Sequence, residues 1–386
     1  EAKDLQGNGV TPITYACNVS SGLARTASNS CTEALYYQNG YGIPRDKVKI
    51  SSTIWQVGTD NYVRGYKFTY DGLNRLTAAN YGEGATLSVN PNRFTEKVTR
   101  YDKHGNIKAL QRYGKIASSY GLIDDLAFGY AGNRMTFVND AIQESDVDQS
   151  FHFNDRSSSN TGNEFEYDGN GNIVKDNNKN ITDIQYNVLN LPKRVLLSGG
   201  GSATYIYDAS GAKYKVIYQG GGENKNTEYS SNVIYENGEL DKVFTEEGYI
   251  TCTDKGIPTY HYYLTDHLGN NRVVMNQDGT IEQVNHYYPF GGLFDQTAED
   301  LQAYKYNGKE LDRTYGLDLY DYSARYMDGA IGRFTTMDPL SEKYYAISPY
   351  AYCANNPVRF VDPTGMDWYS YMNKEGIMQY QWNAEI

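Results

Sequence analysis

The sequence predicts an all-β fold: an array of stacked β-hairpins that builds a long curved sheet. Three observations carry this expectation. The first is composition: 39 Tyr against 12 Phe and 3 Trp, with 38 Gly, pairs residues that suit half-buried pleated surfaces with residues that suit the turns between strands. The second is a recurring nonapeptide, aromatic-x-Tyr-Asp-x-x-Gly/Asn-Asn/Arg-apolar. The third is the absence of long helical heptads over 386 residues.

Residues 1 to about 60 carry Ser/Asn-rich turns and an alternating segment, Ser52 to Val57, whose strands should pair with the array that follows. The repeat begins at Tyr66 and places equivalent tyrosines at 70, 101, 130, 167, 186 and 207, in steps of 31, 29, 37, 19 and 21. Alternation before each Asp (Asn187 in the copy after Tyr186) makes one buried and one exposed face. The Asp caps the turn through its own side chain, and Gly or Asn takes positive φ. A period near 20 is one hairpin, so the longer steps should hide a degenerate copy or a loop. One hairpin cannot bury its own apolar face; neighbours must therefore stack edge to edge. Asp140 to Gly162, acidic and Ser-rich, and Ser198 to Ser202, Gly-rich, read as exposed loops.

Near the C-terminus two Asp-Pro steps, Asp338-Pro339 and Asp362-Pro363, lie 24 residues apart. Proline fixes its own φ and pushes the preceding residue toward extended backbone, so each aspartate is presented from a stiff, non-helical support. Thr364-Gly365-Met366-Asp367 then forms a Gly turn able to bend the chain back toward both. Two carboxyl groups close enough to share a proton can supply the base that activates water and the acid that protonates a leaving nitrogen. The structural alternative is that each aspartate only caps its own turn.

The copies at Phe165 to Ile173 and elsewhere resemble the YD repeat. Tyr260 to Asn270, Tyr287 to Gly291, Tyr306 to Asp312, Gly316 to Tyr326, Gly332-Arg333-Phe334, Asp338-Pro339 and Asn356 to Met366 resemble the RHS-repeat-associated core domain of bacterial polymorphic toxins and the Tc-toxin cocoon subunit. The resemblance covers roughly residues 60–367 and is strongest from 260 onward. It implies a YD-repeat array (61–255) that curls into part of a hollow shell, a core with an autoprotease motif (256–366) that closes it, and the start of a variable effector region (367–386); the N-terminal β segment (1–60) lies outside the resemblance. It also implies an aspartyl autoprotease with Asp338 and Asp362 as acid and base, and a scissile bond at Met366-Asp367. Arg333 would orient a carboxylate or stabilise the oxyanion. Met366 stands where many relatives carry Leu. The implied biology is a secreted or contact-delivered toxin whose shell encapsulates its own C-terminal effector segment. Other chains or further N-terminal repeats would complete the wall, with a secretion apparatus and an immunity protein as partners.

A net charge of −12 argues against phosphate-backbone partners, and no apolar run reaches the roughly 18 residues needed to span a bilayer. The start, Glu1 to Asp4, lacks a signal-peptide pattern and an initiator Met, so the chain reads as a piece of something longer. Four cysteines, none in a C-x-x-C pair, are too few for a disulfide scaffold; Cys17 and Cys31 are either bridged or buried thiols. His261 and His267 are too far apart along a strand for a metal pair, His267 reads as structural, and no cofactor motif occurs. The alternative function is a non-catalytic cell-surface protein binding carbohydrate or a partner through exposed tyrosines, against the expectation that one Tyr per hairpin is a packing ladder.

Overall fold

The computed structural model describes residues 2–4, 12–17, 23–37, 40–43, 49–58, 60–142, 147, 151–156, 162–252, 256–295 and 301–369. Among the described residues are 28 strands, a few single 3-10 turns and no α-helix. Strands β1 (Ala2–Asp4) to β11 (Arg134–Asp140) form one antiparallel meander, each pairing with the next in sequence; β12 (Phe165–Tyr167) to β24 (Ile281–Val284) form a second, of thirteen strands. Four short strands, β25 (Glu310–Asp312) to β28 (Arg333–Phe334), make a third sheet. Ser52–Val57, β5, pairs with β6 (Arg64–Tyr70) as expected from its alternation.

One local device makes the hairpins. In Asp71, Asp102, Asp168 and Asp208 the side-chain Oδ1 accepts the backbone N–H two and four residues on, at 2.8–3.0 Å. The residue three on takes positive φ: Asn74 at 65°, Gly105 at 81°, Gly171 at 84° and Gly211 at 90°. The pairing register also shifts at each repeat tyrosine, between Thr69 and Tyr70, Arg100 and Tyr101, Glu166 and Tyr167, and Ile206 and Tyr207. A type I turn closed by a left-handed residue and a bulge is the expected geometry, and each bulge adds local twist.

The repeat tyrosines end alternate strands: Tyr70 closes β6, Tyr101 closes β8 (Glu96–Tyr101), Tyr186 closes β14 (Ile181–Tyr186) and Tyr207 closes β16 (Ser202–Tyr207). Each step is therefore one strand pair, and the long steps come from longer strands, such as β10 (Ser119–Ala131), and from the connection between β11 and β12. No degenerate copy is hidden there among the described residues.

Two expectations change. The Asp140 to Gly162 stretch is not simply an exposed loop: Val147, Phe151 and Phe153 are buried, and the Phe153 amide donates to Asp124 Oδ1 at 2.8 Å. Single apolar residues among acidic and Ser neighbours were enough to anchor it, and the rest of the stretch lies partly outside the described residues. The sheet also runs through the expected boundary at 255/256, because β21 (Gly248–Cys252) pairs with β22 (Pro258–Thr265). The change of architecture falls after Val284, where the meander ends.

The C-terminal segment packs against both meanders. One apolar cluster joins Tyr66, Phe68 and Leu110 of the first with Val273 and Met275 of the second and with Tyr288, Phe290, Tyr320 and Phe334. Buried polar links fix the seating. Arg112 pairs with Glu96 at 3.0 Å and with Asp124, and donates to the Ala330 carbonyl at 2.9 Å. His267 holds Glu33 through Nδ1 at 2.8 Å and the Val358 carbonyl through Nε2 at 3.0 Å; Glu33 raises its pKa to about 9 against the opposing cost of burial. Cys31 is a free buried thiol pushed up to about 12 by burial, while the Cys17 side chain lies outside the described residues.

Candidate active site

Asp362 sits in the same turn device as the repeats. Its Oδ1 accepts N–H groups from Thr364 at 3.2 Å, Gly365 at 2.7 Å and Met366 at 3.1 Å. Gly365, three residues on, has φ 76°, and a Cβ there would lie 3.0 Å from both the Arg325 nitrogen and the Tyr322 carbonyl oxygen. Asp338 caps its own turn, accepting from the Leu340 amide at 2.8 Å, and its amide donates to the Pro349 carbonyl at 2.9 Å. Each aspartate therefore does anchor a bend.

They also meet. Arg325, just before β27 (Tyr326–Asp328), aims one guanidinium nitrogen, Nη2, at Asp338 Oδ2 (3.0 Å) and Asp362 Oδ2 (3.3 Å). Its Nη1 donates to the Pro349 carbonyl at 3.0 Å, its Nε donates to the Gly365 carbonyl, and the group lies 3.6 Å from the Phe334 ring centre. All three charges are buried. Burial is the largest influence on each, and it outweighs their mutual attraction: the Arg325 pKa is lowered, that of Asp338 is raised, and that of Asp362 rises to about 6. At about 6, the Asp362 carboxyl exchanges protons close to physiological pH, as acid–base chemistry requires.

The Met366-Asp367 bond lies at the mouth of a small hairpin, closed by the Val361 amide on the Tyr369 carbonyl at 3.0 Å and the reverse bond at 2.8 Å. Upstream, the Ala324 amide donates to the Thr364 carbonyl at 3.1 Å and Lys309 Nζ to the Pro363 carbonyl at 2.6 Å. Downstream, Asp367 meets Lys343 Nζ at 3.0 Å and accepts from the Tyr344 hydroxyl. Cys353 is no competing nucleophile: burial first, then the Asp362 charge, pushes its thiol well above the ordinary range.

Arg333 is placed elsewhere. Its guanidinium donates to Asn106 Oδ1 at 3.0 Å, to the Tyr130 hydroxyl at 3.1 Å and to the Asn133 carbonyl at 2.9 Å, tying the C-terminal segment to the first sheet. The arginine between the carboxylates is Arg325, which lay in the Gly316 to Tyr326 block of the sequence without an assigned role. Only spatial proximity distinguishes the two, and both are buried.

The repeat tyrosines form a ladder. The hydroxyls of Tyr70, Tyr101, Tyr130 and Tyr186 donate to the carbonyls of Ile50, Leu76, Ile107 and Ile173 at 2.6–2.8 Å, and that of Tyr167 accepts the Met135 amide at 3.0 Å. Their rings are buried or half-buried, so they do not present the solvent-facing row that stacking on sugars needs. Among the described residues no group of three or more His, Cys, Asp or Glu could hold a metal, and no helix is long and apolar enough to cross a membrane.

No known protein-family profile matches the chain. Salivary gland surface protein 1 of Aedes aegypti is 40% identical over 109 residues, 28% of this chain and 3% of that protein. The tRNA3(Ser)-specific nuclease WapA of Bacillus spizizenii is 26% identical over 286 residues, 70% of this chain and 12% of the relative. Toxin subunit YenC2 of Yersinia entomophaga is 37% identical over 99 residues, 24% of this chain and 10% of the subunit. The chain thus spans between 3% and 12% of these relatives. Its fold is shared with solved Tc-toxin chains: a TcdB2-TccC3-Cdc42 structure at TM-score 0.59 and 16% identity, covering 93% of this chain and 20% of that one. A Photorhabdus luminescens Tc holotoxin pore matches at TM-score 0.59 and 15% identity, covering 92% and 19%.

Proposed function

We propose that this chain is a stretch of shell wall, with its closing element, from an exported RHS-type toxin. In this reading it encloses an effector that begins beyond Met366 and frees it by a single self-cleavage at Met366-Asp367. One carboxylate of the Asp338/Asp362 pair accepts a proton from the attacking water, which adds to the Met366 carbonyl carbon. The other, protonated, gives its proton to the Asp367 nitrogen as the C–N bond breaks. Tethering supplies the effective concentration that lets a simple site complete one turnover. Other chains or further repeats would complete the wall.

The observation that carries the reading is the single Arg325 nitrogen within 3.3 Å of two carboxylates 24 residues apart. Two turn caps with no joint task have no need to share a buried cation. Intact-mass measurement of the purified full chain, kept from acid because Asp-Pro bonds are acid-labile, tests it. A fragment ending at Met366 is expected, with cutting slowed by about 10²–10⁴-fold in Asp338→Asn and in Asp362→Asn. Asn keeps an oxygen able to cap each turn and leaves Arg325 its other carboxylate, and circular dichroism of each variant against the parent checks that the fold is kept. Variants that cut as fast as the parent overturn the carboxylate mechanism.

A second reading, a non-catalytic surface protein, draws on the 40% identity to a salivary gland surface protein over 109 residues and on the resemblance of the Asp362 turn to ordinary repeat turns. A parent chain that stays whole in the same measurement favours it.

A further inference from the structure

We propose that Lys343 and Tyr344 are a recognition clamp for the side chain of Asp367, holding the departing side of the Met366-Asp367 bond in register with Asp338 and Asp362. The inference rests on the cleavage reading above and adds a preference for an acidic residue immediately after the cut.

Lys343 Nζ lies 3.0 and 3.3 Å from the two Asp367 carboxylate oxygens, and the Tyr344 hydroxyl donates to one of them. The Trp368 ring packs against the Tyr344 ring, tilted by 40° with centroids 4.1 Å apart. Two consecutive residues of the link between the two Asp-Pro steps thus grip two consecutive residues after the bond. The link is an extension of the Asp338 turn: the Ser341 amide donates to the Asp338 carbonyl at 3.0 Å, and the Tyr344 amide to the Ser341 carbonyl at 3.1 Å. Residue 367 is therefore tied to the segment carrying one carboxylate, while the Met366 amide is held by the other, at 3.1 Å from Asp362 Oδ1.

Holding a peptide from both sides fixes the carbonyl against the attacking water and the nitrogen against the acid, and small misplacements of such groups cost up to about 10²-fold in rate. Lys343 is more than a third exposed, so its pairing with Asp367 contributes little to stability. Its value is orientation and selection by charge.

The test follows the fraction of whole chain with time after cell-free synthesis of the full chain. The parent is compared with Asp367→Lys, Lys343→Glu, the double exchange of both, and Tyr344→Phe, which keeps the ring against Trp368. Each single charge change should slow cutting at least tenfold, the double exchange should recover most of the loss, and Tyr344→Phe should fall between. A purely structural contact would not show this rescue. Asp338 faces Arg325, Asp362 and Asp367, and the Asp367 charge is among the influences raising its pKa. Asp367→Asn should therefore also move to lower pH the limb of the rate–pH profile that Asp338 sets, the acid limb if it is the base and the alkaline limb if it is the acid. A parent that cuts while every variant matches it, or a double exchange no better than either single change, overturns the clamp alone. A parent that never cuts overturns the cleavage reading and the clamp with it.

Discussion

Replacing Arg325 by Met removes the guanidinium while keeping a long apolar stem over Phe334. At the 3.3 Å separation from Asp362, one ion pair is worth about 5 kcal/mol at an effective dielectric of ~20, before desolvation of the guanidinium is subtracted. Removing one partner of a buried pair costs about 3–5 kcal/mol, and the Gly365 and Pro349 carbonyls lose their donor as well. Uptake of a proton by Asp362, whose strongest downward influence is Arg325, caps the loss. A local destabilisation of about 3–5 kcal/mol is a roughly 100- to 4,000-fold rise in opening. Hydrogen exchange at the amides of Val361, Gly365, Met366 and Tyr369 reads it, with the Phe68 amide of the first sheet as internal control. Protection at those four amides within threefold of the parent would refute the idea that Arg325 holds the two Asp-Pro segments together.

Three further outcomes follow from the same geometry. The folded-state pKa of Asp362 lies above its ordinary 3.8, at about 6, so the group favours folding below 3.8 and that contribution is lost as pH rises through 6. Acidifying from pH 7 to 5 should thus slow exchange at the Met366 amide in the parent relative to Asp362→Asn, by an energy of about 1.4 kcal/mol per tenfold gain in proton affinity; an opposite slope contradicts the burial argument. Gly365→Ala forces a side chain into a left-handed turn at 3.0 Å from backbone and should cost at least about 1–2 kcal/mol, seen as faster exchange across residues 361–369. Tyr101→Phe deletes a 2.6 Å bond to the Leu76 carbonyl and should lower stability by about 0.5–1.5 kcal/mol in urea titration; no change would mean that the ladder hydroxyls are not structural.

Much of the array was legible because its causes are local. Asp71, Asn74 and Arg75 lie within five residues, and their turn, bulge and strand ends follow from that spacing. The misreadings are non-local. Val147, Phe151 and Phe153 look like isolated apolar residues in a polar loop until the core beneath them is known. Arg325 stands just before β27 and Arg333 opens β28, and only the packed chain shows which one faces the carboxylates.

The order of residues by itself determined an all-β chain of hairpins and two stiff aspartates, because short-range hydrogen bonds and backbone preferences act over four or five positions. The tertiary structure decided that Asp338 and Asp362 face the same buried guanidinium and that Lys343 meets Asp367. The reason is physical: charges separated along the chain meet only when the segments that carry them are packed against one another, and no local preference encodes that meeting.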